Sequence, residues 1–184
     1  MQLEIDTTGV RISRRAYEKA IKTTLNKTAT TIKSEMSKAV TQYYNIKATT
    51  IKSKMKITKA SAGEEEMKLK IASRPIGLIH FGATKSIAKR KGNKIYYKTK
   101  AKVLKADRKK VIKGAFIAKA KNSGALQVFR RSADKSLPIV KLGVLSPTKM
   151  IEKRAMDIPA DVIDRDFNRK FMQNYNYFLS RERR

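Results

Sequence analysis

Apolar residues recur at helical spacing in the first quarter of the chain. The pattern predicts one helix of about 30 residues, about 45 Å long, with Ser13 as its N-cap. Residues 3–12 before it read as a short strand and turn. The stripe consists of Tyr17, Ile21, Leu25, Ile32, Met36, Val40 and Tyr43, with Ala29 filling its gap. Lysines occupy the opposite face at Lys19, Lys22, Lys27, Lys33 and Lys38.

Strand patterns dominate the middle of the chain. A shorter helix is expected at 49–59, followed by a loop in "ASAGEEE" and a half-buried strand in "MKLKIAS". The apolar run "RPIGLIHFGA" predicts a bend and a short buried strand. In "KIYYKTKAKV" the alternation is strict, so Lys94, Tyr96, Lys98, Lys100 and Lys102 share one face of a strand.

The remaining pattern predicts a hairpin and two helices. "GAFIAKAK" and "LQVFRRS" are joined by "NSGA", in which Gly124 supplies the permissive turn residue. "SLPIVKLGVLS" adds a strand with Pro138 at its start or on a sheet edge. Pro147 suits the first turn of a helix capped by Ser146, and a final helix carries the stripe Ile163, Phe167, Phe171, Tyr175 and Phe178.

These elements place the chain in the α+β class. Long N-terminal and C-terminal helices flank a central antiparallel or mixed sheet that contains a hairpin. At 184 residues the chain is expected to form a single domain. Its parts are an N-terminal helical part (1–60), a β-rich part (64–146) and a C-terminal helical part (147–184).

Charge is the extreme feature of the composition. The chain has 44 Lys and Arg against 15 Asp and Glu, a formal net charge of +29. Such a chain favours contact with polyanions or acidic partners, or the charge simply solubilises its surface. No cysteine is present, so disulfides and thiolate chemistry are excluded. No signal-peptide pattern or bilayer-spanning apolar run is visible, and no membrane contact is expected.

The residue types of catalytic sites are scarce. His80 is the only histidine, and it stands in an apolar run that is typical of a structural histidine. Asp157, Asp161, Asp164 and Asp166 could bind a divalent metal, but carboxylates at a helix start are stabilised there by capping and by the helix dipole. "GATKS" lacks the frame of a phosphate loop. We therefore expect no enzyme activity, no metal and no cofactor.

The basic block at 85–113 is the sharpest binding candidate. It holds thirteen Lys and Arg and one acid, Asp107, for a local balance of +12. Lysines and arginines bind phosphates without reading sequence, and Tyr96 and Tyr97 could stack on exposed bases. A solvated basic loop is the equal alternative. The predicted contacts with nucleic acid or an acidic partner are Lys89, Arg90, Lys91, Lys94, Lys98, Lys100, Lys102, Lys105, Arg108, Lys109 and Lys110.

Four segments in this order resemble the phage minor tail protein Z family. They are "RPIGLIHF", "IKGAFIAKAKNSGALQVFRR", "LPIVKLG" and the helix that starts at Pro147, with a basic strand region after the first. The chain departs from the family pattern at Ser136, where an arginine is usual, and at "GVLSP", which replaces a Gly-Pro-Ser turn. The motif residues to which we assign structural roles are Pro75, Ile76, Phe81, Gly114, Ala115, Phe116, Phe129, Arg131, Leu137, Pro138 and Ile139.

The resemblance implies a structural protein of the virion. A member of this family is expected at the head-proximal end of a phage tail, in the neck, where it completes the tail and joins it to the head. The implied partners are copies of itself in a ring, expected to be a hexamer, and a tail terminator, tube or head–tail adaptor protein. Genomic DNA in the channel is a further expected contact, without sequence preference, and assembly is expected in the host cytoplasm. The alternative is a free-standing nonspecific nucleic-acid-binding architectural protein.

Overall fold

A computed structural model describes residues 13–61, 66–132 and 137–182 of the chain. The predicted strand and turn at 3–12 and most of the predicted loop "ASAGEEE" lie outside these residues. The chain forms two compact units. Unit 1 comprises Met1–Ile32, Ile57–Leu69 and Pro159–Arg184, and unit 2 comprises Lys33–Lys56 and Lys70–Ile158. Each unit combines segments from all three predicted parts, and the single-domain organisation stays a prediction.

The two long helices form as predicted. Helix α1 spans Arg14–Tyr43, and the Ser13 hydroxyl accepts the Ala16 N–H at 3.2 Å, which confirms the N-cap. The last helix of the chain, here α4, spans Ile158–Glu182. Helix α3, which precedes it, covers Pro147–Arg154, and the Ser146 hydroxyl accepts the Lys149 N–H at its start. The mixed α+β class is confirmed.

Unit 1 buries a face of its helices that the apolar pattern did not predict. On the first turns of α1 the buried positions are small and spaced by four residues, at Ala16, Ala20, Thr24 and Thr28. On α4 they include Val162, Asp166 and Asn174. Tyr17 is 38% exposed and Ile163 is 44% exposed, so the predicted stripes were wrong by about one position there, whereas Ala29 and Ile32 are buried as predicted. Large side chains stand beside the contact, where the Tyr17 and Phe171 rings meet edge to face at 5.6 Å.

Hydrogen bonds satisfy several of the polar residues that are buried in unit 1, although the Thr28 hydroxyl has no partner among the described residues. The Asn174 amide donates to the Thr24 hydroxyl at 2.8 Å and accepts from the Lys27 ammonium at 3.0 Å. These bonds join α1 to α4 through polar side chains that would be costly to bury unpaired. Small residues on α1 leave room for them. The polarity of these positions is the reason why hydrophobic periodicity located the wrong face.

Asp166 is the centre of a charge cluster on α4. Its carboxylate accepts hydrogen bonds from Lys170 at 2.9 Å, from Arg165 at 3.4 Å and from Arg169 at 3.3 Å. The bonds from Lys170 and Arg165 outweigh partial desolvation and lower the pKa of Asp166 from 3.8 to about 2. We had assigned Asp166 to the helix start with its neighbours, but it is a nearly buried ion-pair partner.

Asp166 makes the free energy of unfolding of the protein depend on pH. Because its folded pKa lies below its ordinary value, the carboxylate stabilises the fold above about pH 4, and this contribution is lost as pH falls towards 2. Asp166→Asn should therefore lower the free energy of unfolding at neutral pH and flatten its decline between pH 4 and 2. Urea unfolding across that pH range measures both effects. Asp164→Asn, at an exposed position two residues earlier, is the control, and an equal change in both variants would contradict the account.

Two predicted elements of the middle region take other forms. The expected helix at 49–59 is the shorter α2, Ala48–Ser53, followed by strand β1, Met55–Thr58. Strand β2, Lys68–Ile71, pairs with β1 and has the half-buried pattern predicted for it. The expected buried strand in "RPIGLIHFGA" is a short 3-10 helix, Leu78–Phe81, which ends at Gly82 with φ 66°. Two glycines and a proline around a short apolar run favour this turn over an extended strand.

Unit 2 contains two three-stranded antiparallel sheets. The first has the order β3 (Thr84–Lys91), β4 (Lys94–Ala101), β5 (Lys110–Ile112). The second has the order β6 (Ala115–Lys119), β7 (Leu126–Arg131), β8 (Ile139–Lys141). The predicted hairpin is β6–β7 with Gly124 at φ 64°, and Pro138 directly precedes the edge strand β8, as predicted.

The core of unit 2 joins these sheets to the helices. Ile32 ends unit 1, and the next positions of the predicted α1 stripe, Met36 and Val40, are buried in unit 2. The stripe ends at Tyr44 rather than at the predicted Tyr43. Tyr43 is 45% exposed, and the Arg154 guanidinium lies 4.0 Å from the centre of the Tyr43 ring. Phe81 is fully buried on the 3-10 helix, and its carbonyl accepts the Lys102 N–H at 3.3 Å.

Candidate nucleic-acid interface

The hairpin of β3 and β4 carries most of the predicted basic contacts. Its strands pair from Thr84 opposite Lys100 to Lys91 opposite Lys94, and Gly92 at φ 53° makes the turn. All residues from 87 to 97 are exposed. The outer half of the hairpin is therefore accessible to a partner on both faces.

A β-bulge collects the lysines on one face. The pairing shifts between Ile87 and Lys89, so that Lys89 lies opposite Tyr96 and Lys91 opposite Lys94. Since residues directly opposite each other share a face, Lys89 and Lys91 join the lysines of β4. Without the bulge they would point to the other side. We call this set the cationic face: Lys89, Lys91, Lys94, Lys98 and Lys100.

The cationic face has the electrostatics of a polyanion site. Along β4 its lysines are separated by multiples of about 7 Å, and the sequence has no acidic residue between 67 and 106. The Lys89 ammonium stands 5.1 Å from the centre of the Tyr96 ring, within the same face. Ammonium groups displayed in this way bind phosphates or carboxylates by charge, without reading base sequence.

The opposite face of the hairpin, called here the apolar face, carries mostly apolar side chains, with Lys85 and Arg90 among them. Near the base, Thr99 and Ala101 are buried, and the Thr99 hydroxyl donates to the Ala115 carbonyl of β6 at 2.9 Å. Towards the tip, Ile87, Ile95 and Tyr97 are 47%, 44% and 61% exposed. The hairpin is thus anchored at its base, while its tip extends past the core of unit 2.

The structure separates the other predicted basic contacts from the cationic face. Arg90 lies opposite Ile95 and shares the apolar face, and Lys110 belongs to β5, where it is 3.6 Å from Asp107. Strand β4 ends at Ala101, so Lys102 is not on the strand face that the alternation predicted. A second group lies in the segment between β4 and β5, and it consists of Lys102, Lys105, Arg108 and Lys109.

The family-motif residues fall into a packed group and an exposed group. Ile76, Phe81 and Ala115 are buried, and Gly114 adopts φ 68° in the turn before β6. Pro75 approaches Gly143 so closely that a Cβ on that glycine would lie 2.9 Å from the proline ring. The Phe116 and Phe129 rings are 6.1 Å apart, and Arg131 stacks over Phe116 at 5.3 Å. Leu137, Pro138 and Ile139 are exposed beside the edge strand β8.

His80 is exposed on the 3-10 helix rather than enclosed as a structural histidine. Partial desolvation, followed by the positive charges of Lys54 and Lys141, lowers the pKa of its imidazole below the ordinary 6.5.

Lys141→Gln should raise the pKa of His80, because a repelling positive charge is removed. NMR titration of the single histidine measures the change, and Lys100→Gln is the control. A pKa that stays the same in Lys141→Gln would contradict the placement of the two side chains.

Comparison with known protein families identifies the chain. The family model of prophage minor tail protein Z (GPZ) matches residues 9–182 of the 184. The chain belongs to this family. The match covers both units and all of the motif segments. No curated protein and no solved structure matches the chain.

Membership in the minor tail protein Z family makes the chain a structural protein of a phage tail and gives the virion tail as its location. Such proteins are generally not enzymes. Within 13–61, 66–132 and 137–182, no group of three or more His, Cys, Asp and Glu could hold a metal ion. None of the helices in the described parts of the chain is long and apolar enough to cross a membrane.

Proposed function

We propose that this minor tail protein assembles as a ring at the head-proximal end of the tail, where it completes the tail and joins it to the head. The observation that supports this role is the family match over nearly the whole chain. The proposed ring is a homo-oligomer, a hexamer in the simplest case, that contacts a tail terminator, tube or head–tail adaptor protein. Assembly takes place in the host cytoplasm from subunits of this chain.

The cationic face has a specific part in this proposal. A ring around the DNA channel brings the lysines of many hairpins to one place, where the phosphates of the genome or an acidic protein surface neutralise them. A chain with a net charge of +29 repels its own copies unless such anions are present. Polyanion contact would therefore promote assembly as well as follow from it.

Deletion of the gene from its prophage tests the function. After induction, negative-stain images should show unfinished tails and heads without tails, and the wild-type chain supplied in trans should restore joined particles. Joined, complete particles in the absence of the protein would contradict the proposal. Restoration by the wild-type chain excludes an effect on neighbouring genes.

A free-standing nonspecific nucleic-acid-binding protein is the second candidate function. The cationic face favours it, since five exposed or half-exposed lysines on one side of a hairpin bind DNA with or without a tail. The two candidates differ in where the protein is found. A tail subunit remains in purified virions at fixed stoichiometry, whereas a free-standing factor is lost when particles are separated from soluble protein.

A further inference from the structure

A cationic cavity of unit 2 lies outside the cationic face. It has a volume of about 450 Å³ and is formed where 72–77, the 3-10 helix and strand β8 meet the end of α2. Its basic side chains come from Lys54, Arg74, His80 and Lys141, and Pro75 and Ile76 add an apolar wall. None of the described residues that line it is acidic. Positive charge is therefore collected in a concave site.

Backbone pairing holds the walls of this cavity in place. The Ala72 N–H donates to the Lys54 carbonyl at 2.9 Å, which fixes the end of α2 to the cavity wall. The Leu78 N–H donates to the Leu142 carbonyl at 2.9 Å, which ties the 3-10 helix to the residue after Lys141. Close contact between Pro75 and Gly143 leaves little room for movement. The basic groups thus converge by construction, although they are far apart in the sequence.

A second feature that the polyanion contact does not use is the acidic start of α4. Asp157, Asp161 and Asp164 are all exposed. Asp157 directly precedes α4, and Asp161 and Asp164, three residues apart, lie on one side of its first turns. The described structure places Asp166 apart from them, in its own cluster with Lys170. The three carboxylates match the charge of Lys54, Arg74 and Lys141.

We propose that the cationic cavity of one copy binds the acidic start of α4 from a second copy. This inference rests on the proposed ring. The contact joins two different surfaces, so it is heterologous, and repetition of such a contact closes a ring when the rotation is right. It also offsets part of the repulsion between highly basic subunits, because each copy brings a group of exposed acids to a neighbour's cations.

The shape of the cavity favours an acidic protein segment over a nucleic acid. Its apolar wall at Pro75 and Ile76 suits the aliphatic parts of a helix, whereas charged phosphates dominate the outer surface of a nucleic-acid backbone. The extended cationic face already provides accessible lysines for phosphates. An acidic helix start from a second copy therefore uses both the charge and the concavity of this site.

Reciprocal charge reversal in the full-length chain tests the contact. Variant A carries Lys54→Glu and Lys141→Glu, and variant B carries Asp161→Lys and Asp164→Lys. Each alone should weaken self-association at least about tenfold, because like charges then face each other. An equimolar mixture should restore it, since the reversed cavity of A accepts the reversed helix of B and the two unchanged surfaces also match. Sedimentation velocity at low salt measures all four samples.

Controls separate this contact from general charge effects. Lys119→Glu with Lys121→Glu, at two exposed positions outside both the cavity and the cationic face, gives the same net charge as variant A, and it should keep wild-type association. Carbodiimide cross-linking of isotopically light and heavy chains should join Lys54 or Lys141 of one copy to Asp161 or Asp164 of another. Addition of inorganic phosphate at constant ionic strength should leave association unchanged, and selective displacement by phosphate would overturn the assignment to carboxylates.

The remaining outcomes test the contact between cavity and acidic helix start separately from the proposed function. The inference would be overturned if the mixture of variants A and B failed to associate. It would also be overturned if the wild-type chain stayed monomeric at every protein concentration measured by sedimentation. Unfinished tails after gene deletion would still support the proposed function in that case, so the two claims fail separately. Restoration by the mixture cannot come from misfolded variants, because each must present an intact surface to the other.

Discussion

We expect DNA binding to lose most of its salt dependence when glutamine replaces all five lysines of the cationic face: Lys89, Lys91, Lys94, Lys98 and Lys100. Each phosphate contact contributes about −0.9 to the slope of log affinity against log salt, so five contacts contribute about −4.5. The wild-type affinity should then fall about 500-fold between about 50 and 200 mM salt, and the variant should show little of this decline. Fluorescence anisotropy with a duplex of arbitrary sequence measures the slope.

A matched variant tests whether the arrangement of the lysines matters. This variant loses the same amount of charge from residues outside the cationic face, in the segment after β4 and in β5. Glutamine replaces Lys102, Lys105, Arg108, Lys109 and Lys110. Its slope should stay closer to that of the wild type. Equal slopes in the two variants would show that net charge alone binds the DNA and that the bulged hairpin has no special part.

Phe81→Ala is expected to cause the largest loss of stability. Phe81 is fully buried on the 3-10 helix, and removal of its ring leaves a cavity that its neighbours fill only in part. The expected cost is about 3–5 kcal/mol in the free energy of unfolding, a large share of the stability of an ordinary domain. Urea unfolding followed by circular dichroism measures it.

Tyr97→Ala provides the comparison for Phe81. Tyr97 is 61% exposed at the tip of the hairpin, so its removal should change the free energy of unfolding by less than about 0.5 kcal/mol. Similar losses in the two variants would contradict the placement of Phe81 in the core of unit 2. A small loss in Phe81→Ala alone would do the same.

Secondary structure followed from the sequence wherever local signals agreed with packing. The β6–β7 hairpin, the cap at Ser146 and the proline start of α3 were predicted because turn and capping chemistry is local. The middle of α1 was predicted because Met36 and Val40 are buried by ordinary hydrophobic contact. Local rules failed at 49–59, where a helical pattern ends early and Met55 begins a strand.

The buried face of unit 1 could not be read from hydrophobicity. It includes Ala, Thr, Asn and Asp side chains beside Val162, and a hydrogen bond between Asn174 and Thr24 crosses from α4 to α1. This error arises where tertiary partners, rather than local sequence, decide which side chains are buried.

The candidate sites were predictable to different degrees. Alternation in β4 located Lys94, Lys98 and Lys100, while the contribution of Lys89 and Lys91 depends on a bulge that no local pattern marks. The cationic cavity was not predicted, since Lys54, Arg74 and Lys141 are brought together only by the fold. Four motif segments in order did predict the family, which the match over 9–182 confirms.

A reconstruction of the head–tail junction in intact particles tests the central claim most directly. The account predicts a closed ring of this chain at the head-proximal end of the tail, with the β3–β4 hairpins directed at DNA or at an acidic protein surface. Copies placed along the tail tube or at its distal end would contradict that account, as would a junction without this chain.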